Sequence, residues 1–343
     1  MSKRGPLSLS TALENLEWHD VTPVIGREFP KAQLLDMLDN DAMLRDLAIT
    51  VSERNVVFFR NQSLDAAGMK VLAQKLGELS GKPETSKLHR HALSNSKRGD
   101  ENDNKTLDDE ISVISNKTAS QFFHEEVDRL ASEGWHADIS TEQVPSDYAA
   151  FKMLQLPSTG EVGGDTLWAS GYEVYDRMSA PWKRFAEQLT ATHRDNVLID
   201  IAKKDPSLML DRDRGSPENK GLEFTVSHPV VRTNPVTGWK SLYGAAGQIG
   251  DGWIDGMRSV ESELLKSFFL QLIAQNHDLQ VRWRWSVNDV AIWDNRSTFH
   301  SATFDYQGVR LAQRVTSVGE RPFYDPQSIS RREALALRRG QVN

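Results

Sequence analysis

The chain has 343 residues, of which 26% are charged and 38% hydrophobic, and its formal net charge is -7. These values are ordinary for a soluble globular protein, and the acidic excess argues against a generic nucleic-acid binder, which normally carries an excess of Lys and Arg. The complete lack of cysteine excludes disulfides, thiolate zinc sites and iron–sulfur clusters. Any metal must therefore be held by nitrogen and oxygen.

The hydropathy of the chain bears on its cellular location. No run approaches the roughly 18 consecutive apolar residues of a membrane helix, and the N-terminal stretch MSKRGPLSLSTALENLEWHD lacks the apolar core of a secretory signal. We therefore expect a cytoplasmic protein that has neither nucleic acid nor a membrane as a partner.

The first half of the chain alternates between helix and strand signals. Residues 42–54 have a helical pattern, residues 55–59 look like a buried strand, and residues 64–79 again have apolar residues at helical spacing. Residues 80–121 are polar except for a short apolar stretch at 111–114, which predicts a long loop over a strand. We expect a loop-rich lid over the active site at about 80–130.

Strands dominate the remainder of the chain. Residues 148–156 and 166–168 have strand character on either side of a turn-rich break at 157–165. Helical patterns mark 172–192 and 259–274, and strand patterns return at 280–285, 289–293 and 310–318. The tail from residue 325 is compatible with a short helix or a frayed end. We expect a single domain over 1–343 with its core at about 20–325.

A histidine and an aspartate two residues apart are the first candidate metal ligands. His136 and Asp138 would project from the same face of an extended segment and could grip one ion. His300, far along the chain, would complete a set of two histidines and one carboxylate. Such a set occupies one face of an octahedral iron(II) ion and leaves three positions for a chelating cosubstrate and dioxygen.

Several longer motifs extend this hypothesis. The segments WHADISTEQVP, LPSTGEVGGDTLWAS, HPVVRTNPVTGWKSLY and VRWRWSVNDVAIWDNRSTFHSATFDY, with Arg310 and Arg314 beyond them, resemble the taurine dioxygenase (TauD/TfdA) family in order and wording. The similarity spans roughly residues 56–324. It implies an α+β fold with a double-stranded β-helix, or jelly-roll, core and flanking helices. It also implies iron(II), 2-oxoglutarate and dioxygen as cofactors, and a homo-oligomer, either a dimer or a tetramer.

The same resemblance assigns roles to residues around the metal. 2-Oxoglutarate would chelate iron through one carboxylate and its keto oxygen, and its far carboxylate suits a guanidinium, which matches it in two parallel hydrogen bonds. Arg310 looks like this anchor, with Thr166 as its hydroxyl partner. Arg314 lies at even spacing on the same strand face and looks like the residue that meets the anionic head of the prime substrate.

Other substrate contacts are less uniquely defined by sequence. The segment LHRH resembles the family's Leu-His-x-His stretch and favours His91, whereas counting from the preceding Gly-Glu-Leu favours Lys82. Ile139 is expected to offer an apolar wall. Ser132 replaces an asparagine that the taurine enzymes carry three residues before the tryptophan, so taurine itself is not the expected substrate.

The expected reaction is oxidation of a C–H bond in a small anionic substrate, a sulfonate or an amino acid, with release of succinate and carbon dioxide. The segments around LHRH and TEQVP look more like fungal members of the family, which include sulfonate oxygenases and enzymes that tailor amino acids. Oxidative cyclisation or desaturation of an amino acid in secondary metabolism is therefore an alternative outcome with the same cofactors.

Two alternatives belong to other classes. A non-catalytic jelly-roll binding protein should have lost a ligand, and a zinc hydrolase would need neither Thr166 nor a distal arginine. Asp294 and Asn295 are predicted to orient His300 from behind. The remaining histidines lack a carboxylate at ligand spacing and are expected to serve in the core or on the surface: His19, His124, His193, His228 and His277.

Overall fold

The computed structural model describes residues 6–93, 107–115, 130–157, 162–210 and 212–340. The described strands are β1 His19–Asp20, β2 Arg27–Phe29, β3 Val56–Phe59, β4 Ile111–Ser115, β5 Ser146–Gln155, β6 Thr166–Ser170, β7 Thr190–Arg194, β8 Thr225–Pro229, β9 Val231–Thr233, β10 Lys240–Leu242, β11 Trp253–Ile254, β12 Gln280–Trp283, β13 Val290–Asp294, β14 Thr298–Ala302 and β15 Leu311–Val318. The described helices are α1 Asp41–Arg54, α2 Ala66–Ser80, α3 Gly171–Arg177, α4 Ala180–Ala186, α5 Asn196–Lys204, α6 Ser259–Ala274 and α7 Arg331–Arg338.

The larger sheet has the strand order β1-β2-β3-β13-β5-β15-β4, and helices α1 and α2 cover its outer face. The side chain of Asp65 accepts the N–H of Gly68 at 2.8 Å and so begins α2. Gly81, with φ of 95°, ends it in a left-handed conformation that suits glycine. Leu72 and Leu76 of α2 are fully buried in the apolar layer under this sheet.

A smaller sheet, with the order β12-β6-β14, faces the larger one across an aromatic core. Phe58 of β3 stacks on Trp283 of β12 with ring centroids 3.9 Å apart, and Trp168 of β6 meets the same phenylalanine edge-on at 5.4 Å. Trp293 of β13 contacts Trp168 at 5.8 Å. These large rings fill the space between the two sheets.

Most predicted elements are present, with two differences of detail. The helical pattern at 172–192 is two short helices and a strand, because the chain is extended at Met178 and Ser179 and Pro181 begins a new helix. The tail forms α7, with a capping box between Ser330 and Glu333. Residues 94–106 and 116–129 of the predicted lid lie outside the described residues, and its described part contributes β4 to the sheet edge.

None of the helices in the described ranges combines the length and the apolar character needed to cross a bilayer.

A buried ion pair between Asp294 and Arg296 holds three distant segments of the chain together. Asp294, at the end of β13, accepts from Arg296 Nε and Nη2 at 2.8 Å each, from Ser52 Oγ at 2.6 Å and from Asn234 Nδ2 at 2.9 Å. Burial alone would raise the pKa of the Asp294 carboxyl, but the charge of Arg296 and the hydrogen bonds outweigh it and lower the pKa. This network joins helix α1, the 234 turn and the segment that leads to β14.

Asp294→Asn is expected to lower the free energy of unfolding by about 3–5 kcal/mol, because it removes the directly bonded carboxylate of the fully buried Arg296 guanidinium and leaves only Glu320, 3.6 Å away, as a counter-charge. Urea unfolding at pH 7 measures the loss. The carboxyl contributes fully above its unfolded pKa of about 3.9 and loses its contribution as the pH falls through its lower folded pKa. The difference in the free energy of unfolding between wild type and Asp294→Asn should therefore decrease at acidic pH.

The matched control is Asp278→Asn, which removes an exposed carboxylate that is paired with Arg177 at 2.6 Å. Solvent screens this pair, so the substitution should have a much smaller effect. Equal losses from both substitutions would contradict the assigned importance of the buried pair.

Candidate metal centre

Backbone pairing brings the two candidate histidine ligands together. The N–H of His136 donates to the carbonyl of His300 at 3.0 Å, and the N–H of His300 donates to the carbonyl of His136 at 2.8 Å. Because directly opposed residues of an antiparallel pair share a face, the two imidazole rings lie with centroids 4.2 Å apart. The segment before Asp138 therefore acts as an extra strand on the edge of β14.

Asp138 completes the cluster from the same segment. Its Oδ1 lies 4.0 Å from Nε2 of His136 and 3.7 Å from Nε2 of His300. One ligand atom from each of the three residues lies within 4.8 Å of the other two. A single ion with bonds of about 2 Å can bridge these atoms after small side-chain adjustments.

Hydrogen bonds from neighbouring groups orient the ligands. Nδ1 of His136 lies 2.8 Å from the carbonyl of Gly134 and donates to it, which leaves the lone pair of Nε2 directed at the cluster. The N–H of Asp138 donates to Oδ1 of Asn295 at 3.0 Å. The prediction that Asp294 and Asn295 orient His300 is thus wrong in its target: Asn295 holds Asp138, and Asp294 serves the buried ion pair.

The surroundings of His300 and Asp138 favour the protonation states that bind a metal. Burial, helped by the neighbouring His136, lowers the pKa of His300 to about 3. Burial would raise the pKa of the Asp138 carboxyl, but neighbouring groups, above all the charge of Arg314, outweigh it and lower the pKa. A neutral imidazole and a carboxylate are the forms that bind a metal.

Arg314 makes direct contact with the cluster. Its Nη1 donates to Oδ1 of Asp138, the oxygen that also faces both imidazoles. Its Nε is buried and has no hydrogen-bond partner among the described residues. A cation on Oδ1 would compete for this contact, so the guanidinium has donors to offer to an anion beside the metal.

Arg310 and Thr166 border one aromatic wall. The guanidinium carbon of Arg310 lies 5.6 Å from the ring centre of Phe151, and its Nε donates to the carbonyl of Gly164 at 3.0 Å. Trp285, whose ring centre is 5.0 Å from that of Phe151, donates Nε1–H to Oγ1 of Thr166 at 3.0 Å. The hydroxyl proton of Thr166 remains for an acceptor on the other side.

Both arginines lie on the side of the larger sheet that carries this wall. Arg314 stands opposite Phe151 in the register of β15 and β5, and side chains of opposed residues share a face. Arg310 precedes this strand, and the register shifts between Leu311 and Ala312, but its guanidinium reaches the same ring. The common side that the even spacing predicted is therefore seen for both arginines.

The histidine-rich segment before residue 93 contributes a residue that the sequence reasoning missed. His89 is buried, and its imidazole is close enough to Asp138 to make a small contribution to the lowered pKa of that carboxyl. The predicted candidate His91 is half-buried, its ring centre lies 6.4 Å from that of His89, and its Nδ1 accepts the N–H of Leu93 at 3.0 Å. The N–H of His89 donates to the Thr316 carbonyl at 2.8 Å, a pairing that no local pattern reveals.

The structure does not bring Lys82, the other candidate, to the cluster. Its ammonium donates to Oε1 of Gln74 at 2.9 Å and to Oγ of Ser317 at 2.8 Å, between α2 and β15. Burial lowers the pKa of Lys82. This cation is already used in joining a helix to the sheet.

Two further predicted residues differ in their surroundings. Ser132 is exposed on the short 3-10 turn Ala131–Glu133. Ile139 is half-buried, directly follows Asp138, and has a φ of 50°. A left-handed backbone costs a β-branched residue on the order of 1–3 kcal/mol and persists only where the surroundings enforce it.

The donor set fits iron(II). It consists of two imidazole nitrogens and one carboxylate oxygen, and Oδ2 of Asp138 and Nδ1 of His300 are buried without hydrogen-bond partners among the described residues. Two histidines and one carboxylate on one face suit an octahedral ion with open positions. A guanidinium and a hydroxyl beside an aromatic wall suit a chelating keto diacid.

Comparisons with known proteins agree with this geometry. The family model described as "Taurine catabolism dioxygenase TauD, TfdA family" matches residues 17–316. The chain is 47% identical to alpha-ketoglutarate-dependent dioxygenase btcD of Neocamarosporium betae, over 96% of this chain and 98% of that protein. It is 33% identical to an alpha-ketoglutarate-dependent sulfonate dioxygenase of Saccharomyces cerevisiae, over 94% of this chain and 72% of that protein.

A solved structure shares the fold. The crystal structure of a taurine dioxygenase from Burkholderia xenovorans superposes with a TM-score of 0.65 at 24% identity, covering 91% of this chain and 92% of that chain. The predicted α+β fold with a jelly-roll core is confirmed.

Proposed function

Because the chain belongs to the taurine catabolism dioxygenase TauD, TfdA family, we propose that it is an iron(II)- and 2-oxoglutarate-dependent dioxygenase whose metal is held by His136, Asp138 and His300. The observation that carries the proposal is the convergence of these three ligand atoms within 4.8 Å, in direct contact with the guanidinium of Arg314. His136 and Asp138 are 162 or more positions away from His300 in the chain. The fold, and not proximity in sequence, therefore brings the three side chains together.

The metal and its cosubstrate supply the oxidising power: with dioxygen, 2-oxoglutarate is decarboxylated to succinate and carbon dioxide while a substrate C–H bond is oxidised. The chain binds, orients and excludes water. Arg310 holds the far carboxylate of the cosubstrate in paired hydrogen bonds. Thr166 accepts from Trp285 and therefore donates its own proton to that carboxylate. Phe151 and Trp285 keep this end of the site apolar.

Small anionic substrates suit the part of the site next to Arg314. Arg314 offers a guanidinium in direct contact with the ligand carboxylate, and the nearby His89 adds a second donor. His91 remains the alternative that the sequence suggests, with Ile139 as an apolar wall and Ser132 at the rim. We propose a sulfonate or an amino acid as the substrate class.

The outcome after hydrogen abstraction divides into two candidates. A sulfonate would be hydroxylated at the carbon that bears sulfur, and the yeast relative is named as a sulfonate dioxygenase. An amino acid would be hydroxylated, desaturated or cyclised. The relative with the higher identity is named only as a dioxygenase, so its name does not separate these two.

Anaerobic titration tests the cofactor assignment. Iron(II) and 2-oxoglutarate together should give a weak visible charge-transfer band, because the keto acid chelates the metal. A zinc hydrolase or a non-catalytic binding protein would give no such band, and its absence would contradict the proposal. A screen of sulfonates and amino acids for stimulated succinate release, with products identified by mass spectrometry, then identifies the substrate.

Arg314→Ala is expected to weaken use of the prime substrate roughly 10–100-fold in kcat/KM, because a charge-assisted hydrogen bond contributes about 1.5–3 kcal/mol. The KM for 2-oxoglutarate should change much less, and succinate should be released without matching substrate oxidation. Steady-state assays that vary each substrate separately measure the two effects. An equal rise in both KM values would place Arg314 on the cosubstrate instead.

Assembly and location complete the proposal. A homo-oligomer, either a dimer or a tetramer, and action in the cytoplasm are expected, and a single domain spans the chain. Sedimentation of the purified protein measures the subunit number.

A further inference from the structure

One motif of the sequence has no role in the chemistry proposed so far. HPVVRTNPVTGWKSLY begins with His228 at the end of β8, outside the ligand set and outside the arginine pair. The side chain of His228 is 4% exposed in this region of small strands. A buried histidine that ligates nothing calls for a physical role.

His228 donates to the chain directly after the metal carboxylate. Its Nε2 lies 3.1 Å from the carbonyl of Ser140 and 3.0 Å from the carbonyl of Glu142. Because both partners are acceptors, Nε2 must carry the proton. Burial, together with the charge of Arg232, lowers the pKa of His228 to about 4, so at neutral pH the ring is neutral with its single proton on Nε2.

The two carbonyls belong to a tight turn that has an unfavourable backbone. Ile139, one residue after Asp138, has a φ of 50°, and the N–H of Glu142 donates to its carbonyl at 3.2 Å. The carbonyls of Ser140 and Glu142 both accept from the His228 imidazole. These two hydrogen bonds therefore hold the end of the turn that is farther from Asp138. The carboxylate of Glu142 is held separately by Arg214, with Nη2 3.0 Å from Oε2.

On its near side the turn is held by the N–H of Asp138, which donates to Asn295. Between these two attachments the backbone has little freedom, so the direction of the Asp138 side chain depends on both.

We propose that His228 is a positioning residue for the metal site, which holds the Ser140 and Glu142 carbonyls so that the strained turn at Ile139 directs the Asp138 carboxylate at the metal. This inference rests on the proposed function in one respect, namely that Asp138 is a metal ligand. His228 itself touches neither metal nor substrate.

The test compares two polar substitutions of similar size. In His228→Gln the side-chain amide reaches the former Nε2 position and can still donate, whereas in His228→Asn the amide lies near the former Nδ1 position and falls short of the carbonyls. Mn(II), a redox-silent probe, is titrated into each apo-protein, and unbound Mn(II) is read by electron paramagnetic resonance. Thermal unfolding of the apo-proteins is measured in parallel.

His228→Asn should weaken Mn(II) binding by roughly 10–100-fold, the range typical of residues that orient metal ligands. His228→Gln should retain most of the affinity. The same exchange at the neighbouring buried histidine, His193→Asn, is the control, because the two rings are 4.9 Å apart and His193 has no hydrogen bond within the described chain. It should leave Mn(II) affinity unchanged whatever it does to thermal stability.

A suppressor separates positioning from general core damage. Glycine adopts positive φ without penalty, so Ile139→Gly should restore part of the affinity lost in His228→Asn. Equal affinities of the Asn and Gln variants, or an equal loss in His193→Asn, would overturn the proposed role of His228. A wild-type protein that binds no Mn(II) would instead overturn the assignment of the metal site itself.

Discussion

A His136→Ala variant is expected to release no succinate above background. The substitution removes one of three ligands, so the loss should exceed the roughly 10–100-fold effect of changing a residue that only orients a ligand. The imidazole of His136 is 44% exposed, and its replacement should leave the fold intact. Asp138 is a poorer choice, because its removal would leave Arg314 without a partner.

The measurement is succinate release at saturating iron(II) and 2-oxoglutarate, together with the anaerobic charge-transfer band. His277→Ala is the matched control, since His277 is an exposed imidazole on a short turn before β12, and it should behave like wild type. Substrate-dependent succinate release that persists in His136→Ala would show that the metal is bound elsewhere.

Arg310→Ala should raise the KM for 2-oxoglutarate by roughly 10–100-fold, because a buried guanidinium contributes about 1.5–3 kcal/mol through charge-assisted hydrogen bonds to a carboxylate. The turnover at saturating cosubstrate should fall much less, as expected when binding in ground and transition states is lost together. Arg310→Lys should recover only part of the affinity, since an ammonium cannot match the carboxylate in two parallel bonds.

The control for this prediction lies close by. Arg282 donates to Asp165 at 2.7 Å, but its side chain is 54% exposed, whereas Arg310 is buried. Arg282→Ala should leave the KM for 2-oxoglutarate nearly unchanged. Similar KM values for wild type and Arg310→Ala would contradict the assigned role, and the opposite response of Arg314→Ala, on the prime substrate, would separate the two arginines.

Strand periodicity made part of the site readable from sequence. His136 and Asp138 are two residues apart, and Arg310 and Arg314 are four apart, so alternation along a strand places each pair on one side without any knowledge of its neighbours. The residue types then limit which metal can bind, because two imidazoles and one carboxylate in a chain without cysteine suit only a few metal ions. The convergence of His300 with the first pair followed from the family's motif order.

Contacts between distant segments were not readable in this way. The donor to the Asp138 oxygen, the choice between His89 and His91, and the engagement of Lys82 with Ser317 each depend on which strands are paired and in what register. The same holds for the left-handed turn at Ile139, whose residue type favours the opposite conformation.

Sequence by itself thus predicted the fold class, the three candidate ligands and the two candidate arginines. Local alternation and residue chemistry, which are properties of short segments, indicated the first ligand pair, and the resemblance to the family implied the rest. The tertiary structure alone decided which polar groups from distant segments surround the ligands, because these contacts join residues dozens to hundreds of positions apart. His228 illustrates the difference: in sequence it is one more histidine without a carboxylate, and in the fold its proton lies against the turn that aims Asp138.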